Sequence, residues 1–215
     1  SPSELSGISW AIATLQVVNW PLQKAISAEA RRSISEFGPQ SLSNTAWSFA
    51  TLRCEDVPLL EVIASAALAR IGYFHVQALA NTVWSFAQLA VCHAPMLDAI
   101  SSAALPALGT FASSELATTA WAYSRLEFAD SPLLEAIAEA SMARIRAKEM
   151  DDFSAGLVLE AVARRQSPSL ALRVLTVLED ASGRTLGTGS LLGLGALMSE
   201  FELRGDRENE LRVLE

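Results

Sequence analysis

The sequence predicts an all-α protein, an α-solenoid of stacked antiparallel helix pairs built on a 37-residue repeat. Two observations carry this. Tryptophans fall at 10, 47, 84 and 121, each 37 residues after the last, and their neighbours repeat with them. The composition is also helix-forming. Apolar residues make up 51% of the chain, Ala and Leu dominate them, and β-branched and aromatic residues are scarce, a bias that favours helix over sheet.

Several independent columns share the register. Trp10 opens WAIATL, Trp47 opens WSFATL, Trp84 opens WSFAQL and Trp121 opens WAYSRL. Eleven residues after each tryptophan stands Pro21, Pro58, Pro95 or Pro132, and ten before the last three stands Phe37, Phe74 or Phe111. Ile34, Ile71, Leu108 and Ile145 form a further column. Self-similarity at such a period marks a stacked repeat architecture.

Each unit has a physical reading. Leu42, Ala46, Phe49, Ala50 and Leu52 recur at helical spacing and predict helix A over 40–53. Cys54 to Val57 is a connector. Pro58 suits the first turn of helix B, where its missing N–H is no loss and its φ is already helical. Leu60, Ile63, Ala64, Ala67, Leu68 and Ile71 supply the apolar stripe of helix B, and Gly72 and Gly109 fit its C-terminal stop. A pair so rich in Ala packs closely and cannot bury both faces alone, so neighbours must stack on it. The Trp and Phe columns are expected to form the core between repeats, because an aromatic at a fixed helical position usually packs.

Residues 1–148 thus hold four regular helix pairs, and 149–215 read as degenerate or capping repeats of the same solenoid. In the latter part, Asp151, Asp152 or Ser154 can cap a helix A running through Leu157 to Arg165. Pro168 opens a helix B to about Leu178. Gly187-Thr188-Gly189-Ser190 reads as a turn, Leu191 to Leu203 as one further helix, and Asp206 to Glu215 as a charged end.

Charge and composition exclude several function classes. With 16 basic and 24 acidic residues the net charge is −8, and no basic tail or basic domain stands out. That balance counts against strong non-specific nucleic-acid binding, although cations gathered on one surface would still answer to phosphate. Cys54 and Cys92 are isolated, which suits a reducing compartment. No apolar run reaches the roughly 18 residues a membrane helix needs. The opening Ser1-Pro2-Ser3-Glu4 is neither a signal nor a transit peptide and reads as a mature or trimmed terminus. Catalytic constellations are poor. His75 and His93 occupy different repeat positions without metal-ligand spacing to the cysteines, and the GTGS turn lacks the lysine of a P-loop. An enzyme, a bound cofactor, a metal and a small-molecule substrate are therefore not expected.

Segments such as QSLSNTAWSFATL (Gln40 to Leu52) and QALANTVWSFAQL (Gln77 to Leu89), each followed by a proline-led helix, resemble the octotricopeptide and heptatricopeptide repeats of organellar proteins. Such repeats often accompany a RAP domain, and none is recognisable here. The resemblance covers roughly residues 1–148. It implies a curved α-solenoid in a mitochondrion or chloroplast that binds single-stranded or ribosomal RNA in RNA processing, translation or ribosome assembly. The other expectation is a scaffold subunit that holds proteins together in a large organellar assembly, such as a ribosome or a respiratory or photosynthetic complex. The acidic charge and the short repeat array favour it.

In related α-solenoids helix A lines the concave surface and its polar side chains read bases, one repeat per nucleotide. The corresponding polar columns here are Gln40, Gln77 and Ser114, and Asn44, Asn81 and Thr118. Asn and Gln carry a donor and an acceptor and can pair with a base edge. Ser, Thr and Asn near a helix start also cap it or bond to the preceding turn, and the uniformity of these columns favours that structural role. Arg70 and Arg144 share a column at the end of helix B and are candidates for phosphate contact. A cation there also complements the helix dipole.

Overall fold

The structure is a computed structural model that describes residues 1–128, 131–165 and 168–182. The expected turn at 187–190, the helix over 191–203 and the charged segment 206–215 lie outside the described residues. Two compact units are present, Ser1–Ala104 and a second beginning at Leu105.

The first unit holds α1 (Pro2–Thr14), α2 (Trp20–Ser33), α3 (Pro39–Thr51), α4 (Val57–Leu68), α5 (Val76–Gln88) and α6 (Ala94–Ala104). They form three sequential antiparallel pairs. Within the unit α3 packs between α1 and α5 in one layer, and α4 packs between α2 and α6 in the other. The second unit begins with a 3-10 turn, Leu105–Thr110, followed by α7 (Ser113–Arg125), α8 (Ser131–Ala147), α9 (Asp152–Arg165) and α10 (Pro168–Ser182). There α7 packs on α9 and α8 on α10. Within each unit we call the odd-numbered helices its A layer and the even-numbered ones its B layer. The A helices α1, α3, α5 and α7 begin at residues 2, 39, 76 and 113, and α9 at 152.

Local chemistry sets these boundaries. Pro21, Pro58, Pro95 and Pro132 are each the second residue of a B helix, where no N–H is required. The side chains of Asn19 and Asp56 accept the N–H of Leu22 (3.1 Å) and Leu59 (3.0 Å) and cap α2 and α4. Small residues let the A helices approach closely. Ser43, Ala46 and Ala50 of α3 are buried, and the buried hydroxyls of Thr45 and Thr82 bond to the carbonyls of Ser41 (2.8 Å) and Ala78 (2.7 Å) one turn back. Phe37, Phe74 and Phe111 lie in the core as expected.

The helix stops differ from expectation. Gly72 and Gly109 sit inside the 3-10 turns Ile71–Tyr73 and Leu105–Thr110 without a left-handed φ, because the B helices tighten into those turns instead of reversing. Left-handed residues follow the A helices α1, α3, α5 and α7 and the B helix α8, and none is glycine: Gln16 (φ 54°), Arg53 (φ 52°), Ala90 (φ 54°), Glu127 (φ 53°) and Lys148 (φ 60°). After α3, the N–H of Cys54 bonds to the Phe49 carbonyl (2.8 Å) and that of Arg53 to Ala50 (3.0 Å). This is a Schellman pair, strong enough to hold a residue with a Cβ at positive φ.

Asp151 is the residue that caps α9. Its carboxylate accepts the backbone N–H of Ser154 (2.9 Å) and the Ser154 hydroxyl (2.8 Å), and chiefly the backbone bond holds its carboxyl below the usual aspartate range. A lowered folded-state value means this stabilisation is fully present above the ordinary aspartate pKa and is lost as pH falls through the folded value. Asp151→Ala is expected to cost about 1 kcal/mol at neutral pH. In melts recorded down an acid series, the gap from wild type should close below the ordinary aspartate range. A gap constant with pH would rule out the cap as its source.

A buried polar residue breaks an apolar column. The fourth residue of the proline-led B helices α4, α6 and α8 is Leu60, Leu97 and Leu134, all at 0–1% exposure, but in α2 it is Gln23. Gln23 is 3% exposed, and neither its amide nitrogen nor its amide oxygen has a hydrogen-bond partner. Gln23→Leu is therefore expected to stabilise the protein by roughly 1–3 kcal/mol, the cost of a buried unpaired polar group. Urea unfolding measures this directly, and a lower midpoint would contradict it.

Candidate nucleic-acid interface

One face of each A helix is left over once its packing is complete. In α3 the residues Gln40, Asn44, Trp47 and Thr51 follow one another at i, i+4, i+7 and i+11 and so share a face. Gln40 is exposed and the other three are half-buried. In α5 the same places hold exposed Gln77 and half-buried Asn81, Trp84 and Gln88. The tryptophans are therefore not the buried core the sequence suggested. They lie at the surface because the buried flanks of each A helix are taken by its neighbours and by the B layer. Trp47 and Trp84 stack with ring centroids 6.5 Å apart at 30°. Trp10, in the same place on α1, is 49% exposed.

Hydrogen bonds orient the amides of this face. His75 caps α5 by accepting the Ala78 N–H at Nδ1 (3.1 Å), so the ring proton sits on Nε2 and is donated to Gln40 Oε1 (2.9 Å). Gln40 Nε2 in turn donates to Asn44 Oδ1 (2.9 Å), which leaves the Asn44 NH2 to donate outward. His93 accepts the Met96 N–H at Nδ1 (3.2 Å). Both histidines thus serve helix starts. Neither α3 nor α5 contains an Asp, Glu, Lys or Arg, so their shared face is uncharged although the chain is acidic.

In the second unit the same stripe reads Ser114, Thr118, Trp121 and Arg125 on α7, and Phe153, Leu157, Glu160 and Arg164 on α9. The Ser114 carbonyl accepts from the Thr118 hydroxyl at 2.6 Å. The Arg125 guanidinium lies 5.4 Å from the Trp121 ring centroid, and Arg164 pairs with Glu160 at 3.0 Å. Trp121, Arg125, Glu160 and Arg164 line one shallow hollow. Trp47, Trp84, Trp121, Arg125 and Phe153 were not read as functional from the sequence. The signal was present in the i, i+4, i+7, i+11 spacing that joins each tryptophan to the Gln and Asn columns.

Arg70 and Arg144 sit elsewhere, near the ends of B helices. Arg70 Nη2 donates to the Ser35 carbonyl (2.7 Å) and Nη1 to Ala66 (3.3 Å), which ties α4 to the turn leading into α3. Arg144 reaches the carbonyls of Leu108 (3.4 Å) and Gly109 (3.5 Å) in the same way. Beyond Arg144, Arg146 and Lys148 line an open groove of about 860 Å³ with Arg173, whose guanidinium pairs with Glu139 at 2.7 Å.

Other chemistry has little support among the described residues. No three His, Cys, Asp or Glu side chains come together as metal ligands, and no helix is long and apolar enough to cross a membrane. Burial, and secondarily the Asp56 charge, pushes the Cys54 thiol up and away from nucleophilic use.

A family model described as RESC6, RNA-editing substrate-binding complex 6 protein, matches residues 3–168. No curated protein sequence matches the chain. The match supports this family rather than the octotricopeptide or heptatricopeptide repeats specifically, and it lends no support to a chloroplast.

Proposed function

This chain belongs to the RNA-editing substrate-binding complex 6 family, and from that premise we propose that it is a non-catalytic subunit of such a complex in the mitochondrion, holding single-stranded RNA on the tryptophan face of its A helices. The observation that carries the reading is the half-exposed Trp47–Trp84 stack on an uncharged face, bordered by the oriented amides of Gln40 and Asn44 and by Gln77 and Asn81. Aromatic rings offer unpaired bases a stacking surface, and carboxamides offer their edges a donor and an acceptor. Ser114 and Thr118 take the corresponding places beside Trp121, where Arg125 adds a cation. Arg70 and Arg144 would contact phosphate through the guanidinium donors not spent on carbonyls. We read residues 1–148 as four copies of the 37-residue repeat and 149–215 as its degenerate or capping continuation.

The test is a fluorescence-anisotropy titration of the whole chain with single-stranded RNA oligomers across a salt series. Each phosphate contact on a single strand contributes a slope of about −0.7 in log K against log salt. A face with few cations should therefore give a shallow slope, and Arg70→Glu with Arg144→Glu should weaken binding and flatten it further. Complete absence of binding at low salt would sink the RNA reading. It would leave the scaffold reading, in which the acidic chain holds only protein subunits.

A further inference from the structure

We propose that the hollow between α7 and α9 is a base pocket that selects guanine, an inference that rests on the RNA function proposed above and names what this part of the surface recognises. Trp121, Arg125, Glu127, Glu160 and Arg164 line it. Its volume is about 190 Å³, below the roughly 300–1,000 Å³ of pockets that take a drug-sized ligand. One ring system fits there and a larger cofactor does not. The charged side chains are two guanidiniums and two carboxylates, so the hollow has no net charge to draw a phosphate. It is suited instead to a flat group with a hydrogen-bonding edge.

A platform for a base is present. The Trp121 ring is half-buried, and the Arg125 guanidinium lies 5.4 Å from its centroid. Unpaired bases stack on aromatic rings and on guanidinium planes alike. In the same hollow, Glu160 and Arg164 stand one turn apart on α9 and pair at 3.0 Å through Oε1 and Nη2. The Glu160 side chain is 21% exposed and that of Arg164 60%. The carboxylate is thus held largely out of water, where hydrogen bonds to it are stronger and an unmatched oxygen costs more. The guanidinium, a donor only, is the more open of the two.

The pair sets a donor beside a two-oxygen acceptor, and guanine alone among the standard bases answers all of it. Its Watson–Crick edge carries two adjacent donors, N1–H and N2–H, with the O6 acceptor next to them. The two Glu160 oxygens accept both donors, and Arg164 donates to O6. Adenine, cytosine and uracil each carry one donor group on that edge. In their complexes the second carboxylate oxygen is left unpaired or set against a base acceptor, which costs affinity in a partly desolvated site. The stripes on α3 and α5 cannot make this distinction, because neither helix has a carboxylate.

Fluorescence anisotropy of the whole chain tests this with uridine oligomers that carry one guanosine, inosine or adenosine at the centre. A single guanosine is expected to tighten binding about 5- to 100-fold over the all-uridine oligomer, the discrimination of a good bidentate contact. Inosine, which lacks only the N2 amino group, should lose most of that gain. Glu160→Gln should cut the ratio of guanosine to uridine affinity by at least about fivefold. The ratio is the readout, since removing a negative charge strengthens binding to every RNA alike. Circular dichroism and the melting temperature should stay near wild type, because a surface ion pair adds little stability. Equal affinity for all the oligomers would overturn the inference and leave the RNA function standing. So would a guanosine preference that survives Glu160→Gln unchanged. No binding of any oligomer at low salt would overturn both.

Discussion

Replacing Trp47 and Trp84 together by Ala is expected to weaken binding of a single-stranded RNA oligomer by one to two orders of magnitude, since base stacking on an aromatic ring contributes about 1–3 kcal/mol per base. The rings stack on each other at 6.5 Å and keep part of their surface in solvent, so an inserted or overlying base would extend an existing stack. With no charge on α3 or α5, stacking and the amide contacts must supply most of the affinity on this face. The loss should therefore be nearly the same at low and high salt, unlike the loss from reversing Arg70 and Arg144. Trp47→Phe with Trp84→Phe should recover much of the affinity, because the smaller ring still offers a π face. Truncation also removes the ring–ring contact, worth about 0.5–1.5 kcal/mol of stability, so melting curves must accompany the titration. Unchanged affinity with a lowered melting temperature would show that the rings only pack.

The residues of this face were readable in the sequence, but their exposure was not. Periodicity tells which side chains share a face of a helix. Whether that face is covered depends on neighbours that no single helix reveals. The A helices use Ser43, Ala46 and Ala50 among their buried residues, along with larger ones such as Leu42 and Phe49. The stripe through Trp47 is what remains, and its large aromatic made it look like core. The Arg70 and Arg144 column was equally legible as a pair of helix-end cations. Its partners were hidden because they are main-chain carbonyls, those of Ser35 and of Leu108 and Gly109, which carry no sequence signature. The stops after the A helices escaped for a related reason. The Schellman bonds at Phe49 and Ala50 fix Arg53 in a left-handed conformation that composition would have given to glycine. The prolines and the Asp151 cap were legible because their chemistry is local.

Phe86→Ala should have the largest effect on stability, about 3–5 kcal/mol, the usual cost of truncating a fully buried phenylalanine. Phe86 is 0% exposed and is the eleventh residue of α5, the place held by Phe49 in α3 and Tyr123 in α7, which are also buried. Helix α5 packs on α3 and α6, so the cavity would loosen contacts to both. Hydrogen exchange should show lost protection centred on α5, α3 and α6, because in repeat architectures each element leans only on its neighbours. Phe86→Leu keeps most of the volume and should cost under about 1.5 kcal/mol. The contrast with Trp84, two residues earlier on the same helix, separates scaffold from surface. Phe86→Ala should lower the melting temperature while the folded fraction keeps its RNA affinity, and Trp84→Ala should lower affinity more than stability. If Phe86→Ala melted within a degree or two of wild type, the packing of α5 on its neighbours would be wrong, and with it the placement of the Trp47–Trp84 stack.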